Sequence, residues 1–244
     1  MKSEKRALLH ILVVDGLRSL VGLARVHPQL IGALGTCVRE GLVTVVRPGL
    51  KPTGYSRLEI PTDIAVLTRV GRREAEENLG RPAPAVSLAH EIEHRVGVGE
   101  LRTTLRIPLE AWTSAVELHA ACLTEPSGIA GRGLPDGLAD VDGMRLVLEY
   151  DHGRYTAAQV RLKQQVFSRL ADGAVWGAPT AQRAEWLRRL GCERVVAVPL
   201  PLGVWEDQGG PQRSEQSAPP QYRRLIGMLT FEQWSNYAAG GRRV

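Results

Sequence analysis

Between Leu134 and Gly153 the chain reads LPDGLADVDGMRLVLEYDHG, two apolar runs (134–141 and 144–151) around a turn at Val141–Gly143. This stretch reads as a β-hairpin in a covered sheet. In a strand the side chains alternate, so Arg145, Val147, Glu149 and Asp151 share one face, and Met144, Leu146, Leu148 and Tyr150 share the other. Glu149 and Asp151 then stand roughly 6–7 Å apart along the strand. Asp136 opens the partner strand, whose start lies beside the end of the second. Carboxylates gathered at one end of a sheet repel one another, and burying them unpaired is costly. A divalent cation among Asp136, Glu149 and Asp151 is the expected compensation.

A helix over 156–171 follows, with Val160, Lys163, Phe167 and Leu170 along its apolar face. The chain holds four lysines against 27 arginines, and after residue 51 it uses arginine 22 times and lysine once. That lysine is Lys163. Its compact ammonium suits holding a phosphate or an attacking water. The plainer reading is a side chain that snorkels past the edge of the core.

The N-terminal third has a different pattern. Helices are expected over 4–16, 20–25 and 27–43, followed by two short β-type runs with Pro-Gly and Pro-Thr-Gly turn signals in LVTVVRPGLKPTGYSRLEIP. A short strand, a turn and a helix then fit DIAVLTRVGRREAEENLG. Three short helices before a hairpin is the order of a winged helix-turn-helix, whose third helix enters the major groove of DNA. The candidate DNA contacts are His27, Gln29, Thr36 and Arg39 on that helix, with Lys51, Tyr55 and Arg57 on or beside the wing. Charge agrees with this placement. Residues 1–86 hold 13 Lys and Arg against 8 Asp and Glu, and the remainder holds 18 against 18, so the net +5 lies wholly in this third.

RPAPAV (81–86) marks a boundary. The second unit reads as helix (88–106), strand (114–122), strand (134–141), strand (144–151), helix (156–171) and strand (194–200). The polar, Pro/Gly-rich QGGPQRSEQSAPPQ (208–221) has loop composition. The expected units are 1–80, 81–205 and a linker with a terminal element over 206–244, in a mixed α/β (α+β overall) chain.

HEIEH (90–94) satisfies the H-E-x-x-H zinc pattern, with His90 and His94 one helical turn apart and Glu91 as general base. Against it, Gly97 and Gly99 loosen that helix, and no substantial strands precede it. Cys37, Cys122 and Cys192 lie far apart and out of metal-ligand spacing, which suits a reducing cytoplasm. The apolar run near the N-terminus is about seven residues and is followed at once by Asp15 and Arg18, so neither a signal peptide nor a membrane span is expected.

The order helix–strand–strand–strand–helix–strand, carrying acid, acid and lysine, resembles the PD-(D/E)xK nuclease superfamily. More narrowly, the chain resembles the replication-relaxation family of plasmids and mobile elements from about residue 5 to residue 200. The resemblance rests on "LT-x-x-G" at Leu67–Gly71, "HRVGVGELR" at His94–Arg102, "PD" at Pro135–Asp136, "LEYDHG" at Leu148–Gly153, and Lys163. It implies a winged-helix N-terminus and a restriction-endonuclease-like αβββαβ domain. Asp136, Glu149 and Asp151 would be ligands for Mg²⁺ or Mn²⁺, and Lys163 the phosphate- or water-orienting cation. In that alignment His94 belongs to the family's helix pattern rather than to a zinc site. The motif's usual lysine position is occupied by Asp151, so Lys163 would stand in from the next helix. Implied partners are DNA, a second copy of the chain, and replication or transfer proteins. The alternatives are a winged-helix regulator with an inactive nuclease-like domain and, with less behind it, the zinc protease.

Overall fold

The computed structural model describes residues 3–51, 59–86, 92–124 and 133–205. The described chain is a mixed α/β structure. It begins with α1 (Ser3–Asp15), β1 (Leu17–Ser19) and α2 (Leu20–Val26), the last capped by the Ser19 hydroxyl, which accepts from the Gly22 N–H. The single helix expected over 27–43 is shorter. His27 caps α2, Pro28–Leu30 form a 3-10 turn, and α3 spans Ile31–Arg39. Pro28 has no N–H to give a continuing helix, so the chain turns there before α3 begins.

β2 (Val43–Val46), β3 (Gly49–Leu50), β4 (Ile60–Pro61), β5 (Ile64–Leu67) and α4 (Arg69–Leu79) follow. β1, β5 and β2 form an antiparallel sheet in that order, with Val43 opposite Leu67 and Leu17 opposite Val66. β3 and β4 pair as a separate ribbon. Thr68 caps α4, and Gly71 is required at the crossing behind it, because a Cβ there would stand 1.8 Å from the Leu42 carbonyl oxygen.

The second half runs α5 (Ile92–Thr104), β6 (Trp112–Ser114), α6 (Ala115–Thr124), β7 (Gly137–Val141), β8 (Met144–Tyr150), α7 (Ala157–Leu170), β9 (Gly173–Ala178), α8 (Ala181–Arg189) and β10 (Arg194–Ala197). Its five strands lie in the order β10-β9-β8-β7-β6; β6, β7 and β8 are antiparallel, and β8, β9 and β10 run parallel. The strand expected over 114–122 is mostly helix. Ser114 and Glu117 form an S-x-x-E capping arrangement, the Ser114 hydroxyl accepting from the Glu117 N–H while the Glu117 carboxylate accepts from the Ser114 N–H. β9 and α8, over a stretch given no element above, complete the parallel side of the sheet.

Leu148 and Tyr150 face α5, whereas Val147 packs with Val160, Phe167, Trp176 and Leu187 on the side of α7 and α8. Helix α5 crosses β8 closely because Gly97 has no side chain; a Cβ there would stand 2.0 Å from the Tyr150 ring. This glycine brings the two elements together rather than loosening the helix.

The two halves share a core. Val14, Leu17, Ile64 and Val66 pack in one cluster with Val96, Leu101, Leu148 and Tyr150. A buried ion network crosses the same seam. Arg102 donates to Asp15 through Nε and Nη2, at 2.9 and 2.8 Å. Arg18 donates to Asp15 at 3.3 Å. Arg18 Nη2 also stands 2.9 Å from Glu100 Oε1, an ion pair without hydrogen-bond alignment, and Arg25 reaches the other oxygen of Glu100. Residues 198–205 return to the first half, where Ser19 donates to the Pro201 carbonyl and Trp205 N–H donates to Asp63. Arg81, at the expected boundary, donates to Glu117 and to the Leu109 and Trp112 carbonyls.

Candidate active site

Register sets the site. Gly137 pairs with Leu148 across the β7–β8 hairpin, which brings Asp136 beside the end of β8. Asp142 and Gly143 at the turn both adopt positive φ, 51° and 77°, as a tight two-residue connection requires. Asp136 Oδ2 accepts the Tyr150 backbone N–H at 2.7 Å, and Oδ1 lies 2.7 Å from His94 Nε2 of α5.

Glu149, on the opposite face of β8 from Tyr150, is fully buried. Its Oε1 lies 2.9 Å from Lys163 Nζ and accepts the Tyr155 hydroxyl at 2.6 Å. Its Oε2 is buried with no hydrogen-bond partner. Lys163 points inward because α7, started by a Thr156–Gln159 capping box, sets Val160, Lys163 and Phe167 along the stripe that covers the sheet. Lys163 also donates to the Leu134 carbonyl at 3.3 Å.

The structure therefore brings Asp136, Glu149 and Lys163 together, and turns Asp151 elsewhere. Asp151 Oδ2 takes Arg183 Nε at 2.8 Å and Nη2 at 2.7 Å, and Oδ1 accepts the Gly153 N–H at 2.8 Å. Arg183 Cζ lies over the Trp186 ring of α8, 3.6 Å from its centroid. Asp151 thus braces the turn between β8 and α7, so the expected gathering of three carboxylates is here a gathering of two. Arg183 was not legible as a site neighbour because it lies on α8, where no element was expected. Tyr155, two residues beyond the "LEYDHG" motif, carried no pattern of its own.

Electrostatics follow from this packing. Burial, then the charge of Asp136, raises Glu149 to about 7, against Lys163, the Tyr155 hydrogen bond and His94. Burial works against a charged His94, yet the charge and hydrogen bond of Asp136 outweigh it and raise His94 to about 9. Asp136, despite burial, is held below the ordinary carboxylate value by His94, by the Tyr150 N–H and by Lys163. His152, 5.4 Å from the His94 ring, is lowered to about 4 by burial and by the neighbouring His94 and Arg154 charges. Burial and the charges of Glu149 and Asp136 raise Tyr155.

The site opens into a cleft of about 360 Å³ to which His94, Asp136, His152 and Tyr155 contribute. Among the described residues no group of three or more His, Cys, Asp or Glu side chains is arranged to hold a metal ion. Two carboxylates with one buried, unpartnered oxygen do fit a hard divalent cation, whose remaining ligands are commonly water and substrate oxygens. In the zinc pattern, His90 and Glu91 lie outside the described residues, and His94 Nε2 is engaged by Asp136.

The DNA-contact candidates are spread over several elements. His27 is half-buried at the end of α2, and its imidazole is lowered by burial and by the Arg18 and Arg102 charges. Gln29 is exposed on the 3-10 turn. Thr36 and Arg39 lie on α3, where Arg39 donates to the Thr36 hydroxyl at 3.2 Å. Lys51 is exposed and its N–H donates to Glu93; Tyr55 and Arg57 lie outside the described residues. No helix among the described residues is long and apolar enough to cross a membrane.

The chain matches no family model, no curated protein and no solved structure.

Proposed function

We propose that this protein binds DNA through its first half, a winged helix-turn-helix, and nicks or cleaves it with a metal-dependent PD-(D/E)xK-type site in the second half. The reading takes up the replication-relaxation resemblance and its setting in plasmid or mobile-element replication and transfer. One observation carries it: Asp136, Glu149 and Lys163 come from two strands and a helix to one end of the sheet, with Lys163 2.9 Å from Glu149 and one oxygen of Glu149 left without a partner. Three further features support it. The mixed sheet with α5 and α7 on opposite faces is compatible with the αβββαβ order, taking α6 as an insertion and α8 and β10 as additions. The β1-β5-β2 sheet with α1, α2, α3 and the β3–β4 ribbon is compatible with a winged helix. The net positive charge lies in residues 1–86.

Asp136 and Glu149 would hold Mg²⁺ or Mn²⁺. When bound, the ion supplies an activated water and neutralises charge on the phosphodiester. The chain's own groups prepare that chemistry. The Tyr150 N–H and His94 fix the carboxylate of Asp136 in one orientation. Lys163 favours the charged form of Glu149 against burial, and its ammonium would orient a phosphoryl oxygen or a water. Asp151 and Arg183 hold the turn that carries Tyr155 over Glu149.

A second reading, a winged-helix regulator without catalysis, is favoured by the full engagement of Asp136 and by the absence of exposed surface on Glu149. Incubation with supercoiled plasmid in Mg²⁺ or Mn²⁺ separates the two. The nuclease reading expects nicked product that Asp136→Ala and Lys163→Ala abolish. Salt-sensitive DNA binding without cleavage under any divalent metal would favour the regulator.

A further inference from the structure

We propose, resting on the nuclease reading above, that the strand cut by this protein is unpaired: a single strand, a flap or a frayed end, with duplex bound by the first half but left intact. The inference comes from how the cleft is walled. His94, Asp136 and Tyr155 line it together with Val14 and Asp15 of the first half and Pro84 of the connecting stretch. Its volume of about 360 Å³ is near the lower end for a single small-molecule pocket, roughly 300–1,000 Å³. Asp136 and Tyr155 line this opening, and Glu149, 0% exposed, accepts the Tyr155 hydroxyl, with Lys163, 15% exposed, beside it.

The walls are not free to part. Asp15 is itself a wall residue, and Arg102 and Arg18 hold it from within the seam. A Cβ on Gly99 would lie 2.7 Å from Arg18, so α5 and β1 are also in close contact there. Opening the cleft to a duplex would separate buried ion pairs, which is strongly unfavourable. A phosphodiester lies on the outer face of a duplex, so the exclusion inferred here is steric: a single strand enters between these residues and two paired strands do not. The cleft is suited to such a strand, because Tyr155, His94 and His152 set three rings around it and unpaired bases stack on such rings.

The test offers one labelled oligonucleotide as a single strand, as a duplex and as a duplex with an unpaired flap, to the full chain with Mn²⁺. Cleavage is read on gels and binding by fluorescence anisotropy. Cleavage confined to the single strand and the flap is expected. Val116→Trp, which places a bulky ring on the cleft wall, is expected to weaken single-strand binding about tenfold, the scale of one lost base-stacking contact, and to spare duplex binding. Ala115→Leu replaces it if that variant does not fold. Duplex cut as fast as single strand overturns this inference and leaves the nuclease reading standing. Cleavage of no form overturns the nuclease reading and this inference with it; single-strand binding and cleavage both indifferent to the cleft variant overturn this inference alone.

Discussion

Lys163 Nζ lies 2.9 Å from Glu149 Oε1, although one residue stands in the middle of α7 and the other one position before the end of β8. Breaking a buried pair by removing one partner typically costs about 3–5 kcal/mol, because the other charge is left uncompensated. A carboxyl group escapes that cost by taking a proton. Lys163→Met should therefore destabilise the protein by about 3 kcal/mol at pH 8 and by much less at pH 5, where Glu149, already raised to about 7, is protonated. Urea unfolding at the two pH values checks this; an equal loss at both would mean the pair carries no charge.

His94 supplies a second pH dependence. Its folded value is raised from 6.5 to about 9, so its contribution is fully present below 6.5 and is lost as pH rises through 9. That shift corresponds to at most about 3 kcal/mol, at about 1.4 kcal/mol per unit. Glu149, raised as well, acts in the same direction between 4.5 and about 7. The thermal midpoint should fall between pH 6.5 and 9.5, and His94→Gln should flatten that fall. A wild-type midpoint that rises over the interval contradicts the His94–Asp136 pairing.

Two glycines should respond in opposite ways. Gly97→Ala puts a Cβ 2.0 Å from the Tyr150 ring, and overpacking of this kind costs about 1–3 kcal/mol or more. Gly35→Ala on α3 meets nothing within 4 Å and gains helix propensity of up to about 1 kcal/mol. Chemical denaturation of both variants reads the signs directly, and a tolerated Gly97→Ala would show that α5 does not cross β8 this closely.

The seam between the halves has its own test. Arg102→Met leaves Asp15 buried with only the longer contact to Arg18, so a loss of about 3–5 kcal/mol is expected. Asp15→Asn combined with Arg102→Met should recover part of it. Trp176 and Trp186 pack in the second half whereas Trp205 packs against the first, so fluorescence is read in a background with Trp205→Phe and Trp234→Phe, where it reports the second half. If the halves unfold as one body, fluorescence and helical signal should shift together in both variants; two separated transitions would show independent units.

The hairpin and the facing of Glu149 and Lys163 were legible because strands and helices impose periods of two and 3.6 on the sequence. Asp136 followed from counting back across the turn. Asp151 was placed on the correct face, but its partner Arg183 sits on α8, and no local pattern announces a contact across 32 residues. The same limit hid the seam. Asp15, Arg18, Glu100 and Arg102 have no spacing that pairs them until α1, β1 and α5 are packed together. Helix α6 is a different case: Ser114-x-x-Glu117 is a capping signature, and the apolar residues after it were read with the strand period instead.

The central claim is tested most directly by cleavage with Asp136, Glu149 and Lys163 replaced one at a time. Wild type and Asp136→Asn, Glu149→Gln and Lys163→Ala are incubated with single-stranded circular DNA and with supercoiled plasmid, in Mg²⁺, Mn²⁺ and chelator. Metal-dependent breakage by wild type is predicted, lost at least about 100-fold in each variant that keeps its fold and its DNA affinity, the scale expected of a group that stabilises the transition state. Breakage undiminished in all three variants, or none by wild type under any divalent metal, would contradict the account.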